Sequence, residues 1–143
     1  MSEQQNVERP LVYSCSGCSN VAQLANDLAV WLQREGVAEM SCIAGVGGDV
    51  KQLVKTATSG RRIIALDGCP LNCVKQTLAK KQVAPTWHIQ LTDMGLKKRD
   101  GESCTLSDTY RALEYVYDEI GECFNNDISA PLRKLDKSAN GSV

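Results

Sequence analysis

The chain has 143 residues, 43% of them hydrophobic, which is enough for one ordinary domain with its own core. Its 16 lysines and arginines against 17 acidic residues leave a formal net charge of -1, so charge gives no reason to expect nucleic acid or an anionic membrane as partner. No stretch approaches the ~18 apolar residues of a membrane span, and the polar segment of residues 1–10 has no apolar signal core, so a cytoplasmic protein is expected.

Seven cysteines are many for this length. The number is odd, no export signal is visible, and a core of this size needs no covalent staples, so metal or redox chemistry explains them better than a disulfide framework.

In chain order, Leu11-Val12-Tyr13-Ser14 reads as a first strand that ends in a loop of turn formers, Cys15-Ser16-Gly17-Cys18-Ser19-Asn20. Ser19 or Asn20 can cap the next helix, whose apolar positions Val21, Leu24, Ala25, Leu28 and Leu32 recur at helical spacing until Gly36 stops it. Met40 to Ala44 is the expected second strand, carrying Cys42, with Gly45-Val46-Gly47-Gly48 as its exit loop. A second helix begins near Asp49, with Val50, Leu53, Val54 and Ala57 as its stripe, and ends at Ser59-Gly60.

Ile63 to Leu66 is apolar without a break, as in a strand covered on both faces, and Gly68 allows a tight exit. Pro70 suits the first turn of a third helix that runs to about Lys81, with Leu71, Val74 and Leu78 inward. Cys69 then stands at the start of that helix and Cys73 one turn on, where the positive end of the helix dipole favours thiolates. Trp87, Ile89 and Leu91 alternate with His88, Gln90 and Thr92, the pattern of an edge strand. Lys97-Lys98-Arg99-Asp100 is a solvated, charged loop. The last helix, about Leu106 to Phe124, sets Leu106, Tyr110, Leu113, Tyr117, Ile120 and Phe124 on one stripe against the sheet. The pattern fades from Asn125, so residues 11–126 form the expected domain and 127–143 a C-terminal segment expected to be partly disordered.

Strands alternating with helices predict an α/β fold of three layers, with a mostly parallel sheet of about four strands in the order 2-1-3-4 and helices on both faces. That order puts the first strand between the second and third, beside the topological switch where such folds bind ligands. Cys15 and Cys18 follow strand one, Cys42 lies near the end of strand two, and Cys69 and Cys73 follow strand three. All five therefore gather near the carboxyl edge of adjacent strands. Strands two and three stand roughly 10 Å apart across strand one, a gap that loops and side chains can bridge to a metal with Zn–S bonds of about 2.3 Å.

The sequence resembles the DGC-domain family of zinc-binding proteins over about Leu11 to Gly95. The resemblance rests on Cys15-Ser16-Gly17 followed by Ser19-Asn20, on Gln23-Leu24-Ala25-Asn26, on Cys42-Ile43-Ala44-Gly45-Val46-Gly47-Gly48, and on Asp67-Gly68-Cys69-Pro70 with Cys73 beyond. It implies four chelating cysteines, which map to Cys15, Cys42, Cys69 and Cys73, and zinc as the cofactor; Cys18 stands where the family is expected to vary and is a further candidate thiol by its place after the first strand. It implies no agreed biochemical activity.

Zn, Cu(I) and Fe–S clusters all suit soft thiolates, and zinc is favoured. The partner is then a metal ion, with no protein partner specified by the sequence. Cys15-x-x-Cys18 also fits a redox dithiol, so a thiol–disulfide or Fe–S redox protein is the alternative. A cysteine after strand one invites comparison with low-molecular-weight phosphatases, yet no arginine follows in the loop to hold an oxyanion. Gly45-Val46-Gly47-Gly48-Asp49 matches no phosphate-binding fingerprint. Asp67 reads equally as an acceptor that orients its neighbours or as a turn former. His88, the only histidine, reads as solvated surface, and Cys104 and Cys123 read as structural.

Overall fold

Short apolar runs set off by turn formers become four strands, β1 Leu11–Ser14, β2 Glu39–Met40, β3 Ile63–Asp67 and β4 Trp87–Gln90, in the computed structural model, which describes residues 8–122. Five α-helices accompany them, α1 Asn20–Arg34, α2 Ile43–Gly47, α3 Lys51–Ala57, α4 Cys73–Lys80 and α5 Leu106–Ile120, with a short 3-10 helix at Leu91–Met94 directly after β4. The sheet is parallel throughout and its order is β2-β1-β3-β4, as the alternation of strand and helix predicts. Leu11 to Ser14 pair with Ile63 to Leu66, and Ile64 to Asp67 pair with Trp87 to Gln90, so β1 and β3 carry the centre and β4 lies at an edge. Both central strands are buried along their whole length, consistent with helices on both faces.

Successive residues of a strand point to opposite faces, and their contacts assign the layers. The Ser14 hydroxyl reaches Asn26 of α1, while Asp67, one residue beyond Ser14's partner Leu66, reaches α4 on the other side. The predicted stripe of α1 is buried without exception, and the Ser19 hydroxyl accepts the Ala22 N–H as its cap. Gly36 at φ +76 turns the chain out of that helix, a conformation an L side chain resists. A capping box opens α5, in which Thr105 accepts from the Asp108 amide and Asp108 accepts from the Thr105 amide. Trp31 donates its indole N–H to the Tyr117 hydroxyl at 3.3 Å and ties α1 to α5.

Four local expectations are corrected. The second strand is only two residues long, and Gly45 to Gly47, expected as loop, belongs to α2. A Cβ on Gly45 would collide with the Leu53 side chain, so glycine stands there to let α3 pack against α2. The third helix begins at Cys73, because residues 69–72 form a turn closed by the Asn72 N–H to the Cys69 carbonyl at 3.1 Å. Leu71 therefore projects from that turn, 66% exposed, and not into the core. In α5 the buried residues are Ala112, Leu113, Val116 and Tyr117, while Leu106, in the first turn, is 71% exposed. Phe124, Cys123 and the expected C-terminal segment lie outside the described residues.

Candidate metal centre

The exits of β1 and β3 meet at the point where the strand order reverses. Cys15 directly follows β1 and is buried, at 8% exposure. Its Sγ accepts the Gly68 N–H at 3.2 Å, a contact between the first residue after β1 and the first after β3. Gly68 can occupy this place because it has no side chain: a Cβ there would lie 2.7 Å from the Val21 carbonyl carbon and 2.9 Å from the Ala22 nitrogen. Close approach of two backbones, and not a special φ, is the reason for glycine.

Burial pushes the Cys15 thiol up to about 11, and the negative charges that Asp67, Cys73 and Cys69 can carry push it the same way, against the Gly68 hydrogen bond. Four groups therefore share one electrostatic neighbourhood. Without a metal, Cys15 is a neutral thiol at pH 7. A cation that accepts its sulfur would reverse that balance and release the proton.

Asp67 settles the choice between turn former and orienting acceptor in favour of the latter. It is 1% exposed, accepts the Val74 N–H at Oδ1 (2.8 Å) and the Lys75 N–H at Oδ2 (3.2 Å), and meets His88 Nε2 at 2.9 Å. The free amides at the start of α4 are thus given to a carboxylate from β3. His88 is not solvated surface either. It lies beside Ala65 in the β3–β4 register, on the face that carries Asp67, and only 20% of its side chain is exposed. Sequence reading missed this pair, although a strand order that sets β4 beside β3 contains the signal.

The other thiols are spread around this core. Cys69 is half-buried, and Cys73 is exposed at the first position of α4. Cys42 is exposed at the N-terminal boundary of α2, on the wall of a cavity of about 570 Å³ that Ser14, Ser16, Asn26 and Met40 also line. Cys18 is exposed, and its carbonyl accepts the Gly101 N–H at 3.0 Å. Cys104 stands apart, with its Sγ 3.6 Å from the Asn20 carbonyl oxygen and its thiol shifted up by burial. The charged loop is pinned through its backbone, since the Asn20 amide holds the Lys97 carbonyl at 2.9 Å and the Arg99 N–H at 2.7 Å.

Among the described residues no three His, Cys, Asp or Glu side chains converge closely enough to share one metal ion. The donors nonetheless fit zinc in kind, since thiols at the exits of three adjacent strands are soft ligands. Cys69 and Cys73 flank the turn between β3 and α4, and both bear electrostatically on Cys15.

An α/β domain with thiols grouped at the switch point of its sheet is the class that fold and site define. The DGC domain model matches residues 11–116, and the chain belongs to the DGC domain family. It is also similar to a Pseudomonas aeruginosa protein named anaerobic and virulence modulator AnvM. The two are 67% identical over 102 residues, which is 71% of this chain and 78% of that protein. No solved structure matches. Among the described residues no helix is long and apolar enough to cross a membrane.

Proposed function

We propose that this chain binds one Zn²⁺ through thiolates at the carboxyl edge of its sheet and acts in metal binding, sensing or transfer. Cys15, Cys69 and Cys73 form the core of the ligand set, Cys42 completes it from the end of β2, and Cys18 is the further thiol within the same edge. The observation that carries this reading is the buried Cys15 sulfur, which lies across the β1–β3 junction and within the field of both Cys69 and Cys73. Soft thiolates in that number suit zinc, and a cytoplasmic setting keeps them reduced. The Pseudomonas relative is named an anaerobic and virulence modulator, and a regulatory role such as sensing is in keeping with that name. A metal ion is the one partner this reading requires, with neither nucleic acid nor membrane among its partners.

Elemental analysis of the full chain tests it. Cys15→Ser, Cys42→Ser, Cys69→Ser and Cys73→Ser should each lower the zinc bound per chain, while Cys104→Ser should not. Unchanged zinc in all four of the first set would place the site elsewhere. The thiol–disulfide or Fe–S alternative uses the same cysteines, and the absorption spectrum of anaerobically purified protein separates iron from colourless zinc.

A further inference from the structure

Three thiols hang from Asp67. Through its side chain the residue holds the Val74 and Lys75 amides, and so fixes the first turn of α4, where Cys73 is the residue before Val74. This is the real cap of α4, because Asn72 at the cap position makes no side-chain bond to it. Through its backbone Asp67 leads into Gly68, whose N–H holds the Cys15 sulfur, and then into Cys69.

A carboxylate removed from water needs its lone pairs satisfied, and two backbone amides leave Asp67 short of the four sites that an ionised carboxylate offers. His88 Nε2, at 2.9 Å from Oδ2, supplies the remaining side-chain contact. It is the one histidine in the chain, and it reaches inward from an edge strand.

We propose that His88 is a positioning residue for the thiol cluster. Its hydrogen bond to Oδ2 holds the Asp67 carboxylate in the rotamer that docks α4, and thereby sets where Cys73 stands relative to Cys15 and Cys69. The effect on zinc rests on the metal-binding reading above, whereas the docking of α4 is a property of the metal-free chain. An amide at position 88 can still donate to Oδ2, and a phenyl ring cannot.

The test uses the full chain as wild type, His88→Phe, His88→Gln and Asp67→Asn, with two readouts. In the metal-free proteins, NMR hydrogen exchange should be faster at the Val74 and Lys75 amides in His88→Phe and in Asp67→Asn, and close to wild type in His88→Gln. In a zinc titration against a chromophoric chelator, His88→Phe should bind about 10–100-fold more weakly, the usual cost of losing a residue that orients a metal ligand from outside the ligand set, with His88→Gln restoring affinity. Unchanged exchange at Val74 and Lys75 in both His88→Phe and Asp67→Asn would overturn the proposal. Failure of His88→Gln to rescue would also overturn it, because bulk alone would then explain the loss. A wild-type chain that binds no zinc, with exchange still accelerated in His88→Phe, would support the docking role and overturn the zinc reading instead.

Discussion

Gly68→Ala tests the account at its most crowded point. The added Cβ would sit 2.7 Å from the carbonyl carbon of Val21, 2.8 Å from its oxygen and 2.9 Å from the Ala22 nitrogen. All three are backbone atoms in the first turn of α1, so no flexible side chain can swing away and either α1 or the β3 exit must move. Overpacking of this kind costs about 1–3 kcal/mol. The same shift strains the Gly68 N–H bond to Cys15 and the Thr92 N–H bond to the Gly68 carbonyl, at about 0.5–1.5 kcal/mol each. Together these give about 2–6 kcal/mol, a large share of a domain stability of about 5–15 kcal/mol. Thermal unfolding followed by circular dichroism should then show Tm lower by about 10–20 °C. Gly36→Ala is the comparison, because nothing lies within 4 Å of that site and only its φ of +76 resists a side chain; its cost should be about 1–2 kcal/mol. A Gly68→Ala variant that melts within about 2 °C of wild type would refute the reasoning.

Metal-free protein should also lose stability in alkali. Burial raises the Cys15 thiol from an ordinary value of 9.0 to about 11, so the neutral thiol favours the folded state. That contribution is complete below pH 9.0, declines as pH rises and is lost by about 11, a difference of up to about 2–3 kcal/mol. Denaturant titrations on either side of that window check it, and because the buried Tyr13 and Tyr117 hydroxyls are shifted up as well, the comparison with Cys15→Ser isolates the thiol: an equal alkaline loss in both proteins would assign the effect elsewhere. Chelation of zinc should leave the helices in place, since a four-stranded sheet whose two central strands are buried under packed helices does not need metal to form. Loss of most far-UV circular dichroism on adding chelator would make the metal a structural staple and weaken the sensing reading.

The sheet order and the stripe of α1 were legible because each follows from a repeated pattern: alternating strands and helices in the first case, five apolar residues at helical spacing in the second. Where one residue decides, the pattern misleads. Gly45-Val46-Gly47-Gly48 reads as loop from local propensity, yet Gly45 is helical because its bare Cα admits Leu53, a contact known only once α3 is folded back. Pro70 reads as a helix start, but the turn closed at Cys69 and Asn72 delays α4 to Cys73, and the inward phase assigned to Leu71 fails with it. Leu106 fits the period of α5 but, as the first residue of that helix, is exposed. Cys15 follows β1 and Cys69 follows β3, as the alternation of strands and helices predicts, whereas Cys42, expected within the second strand, stands two residues beyond β2 at the start of α2. The hydrogen bond from His88 to Asp67 needed the β3–β4 register, which composition and spacing do not encode.

Differential alkylation of the full chain, read by mass spectrometry of peptides with zinc bound and after chelation, tests the central claim most directly. Thiolates that share a metal are shielded from alkylating reagents, so zinc should protect Cys15, Cys69 and Cys73 together, chelator should expose them, and mild oxidant should release the zinc as disulfides form. Cys104 should label alike in both samples. Equal labelling of Cys69 with and without chelator would contradict the account, because the exit of β3 would then be no part of a metal site.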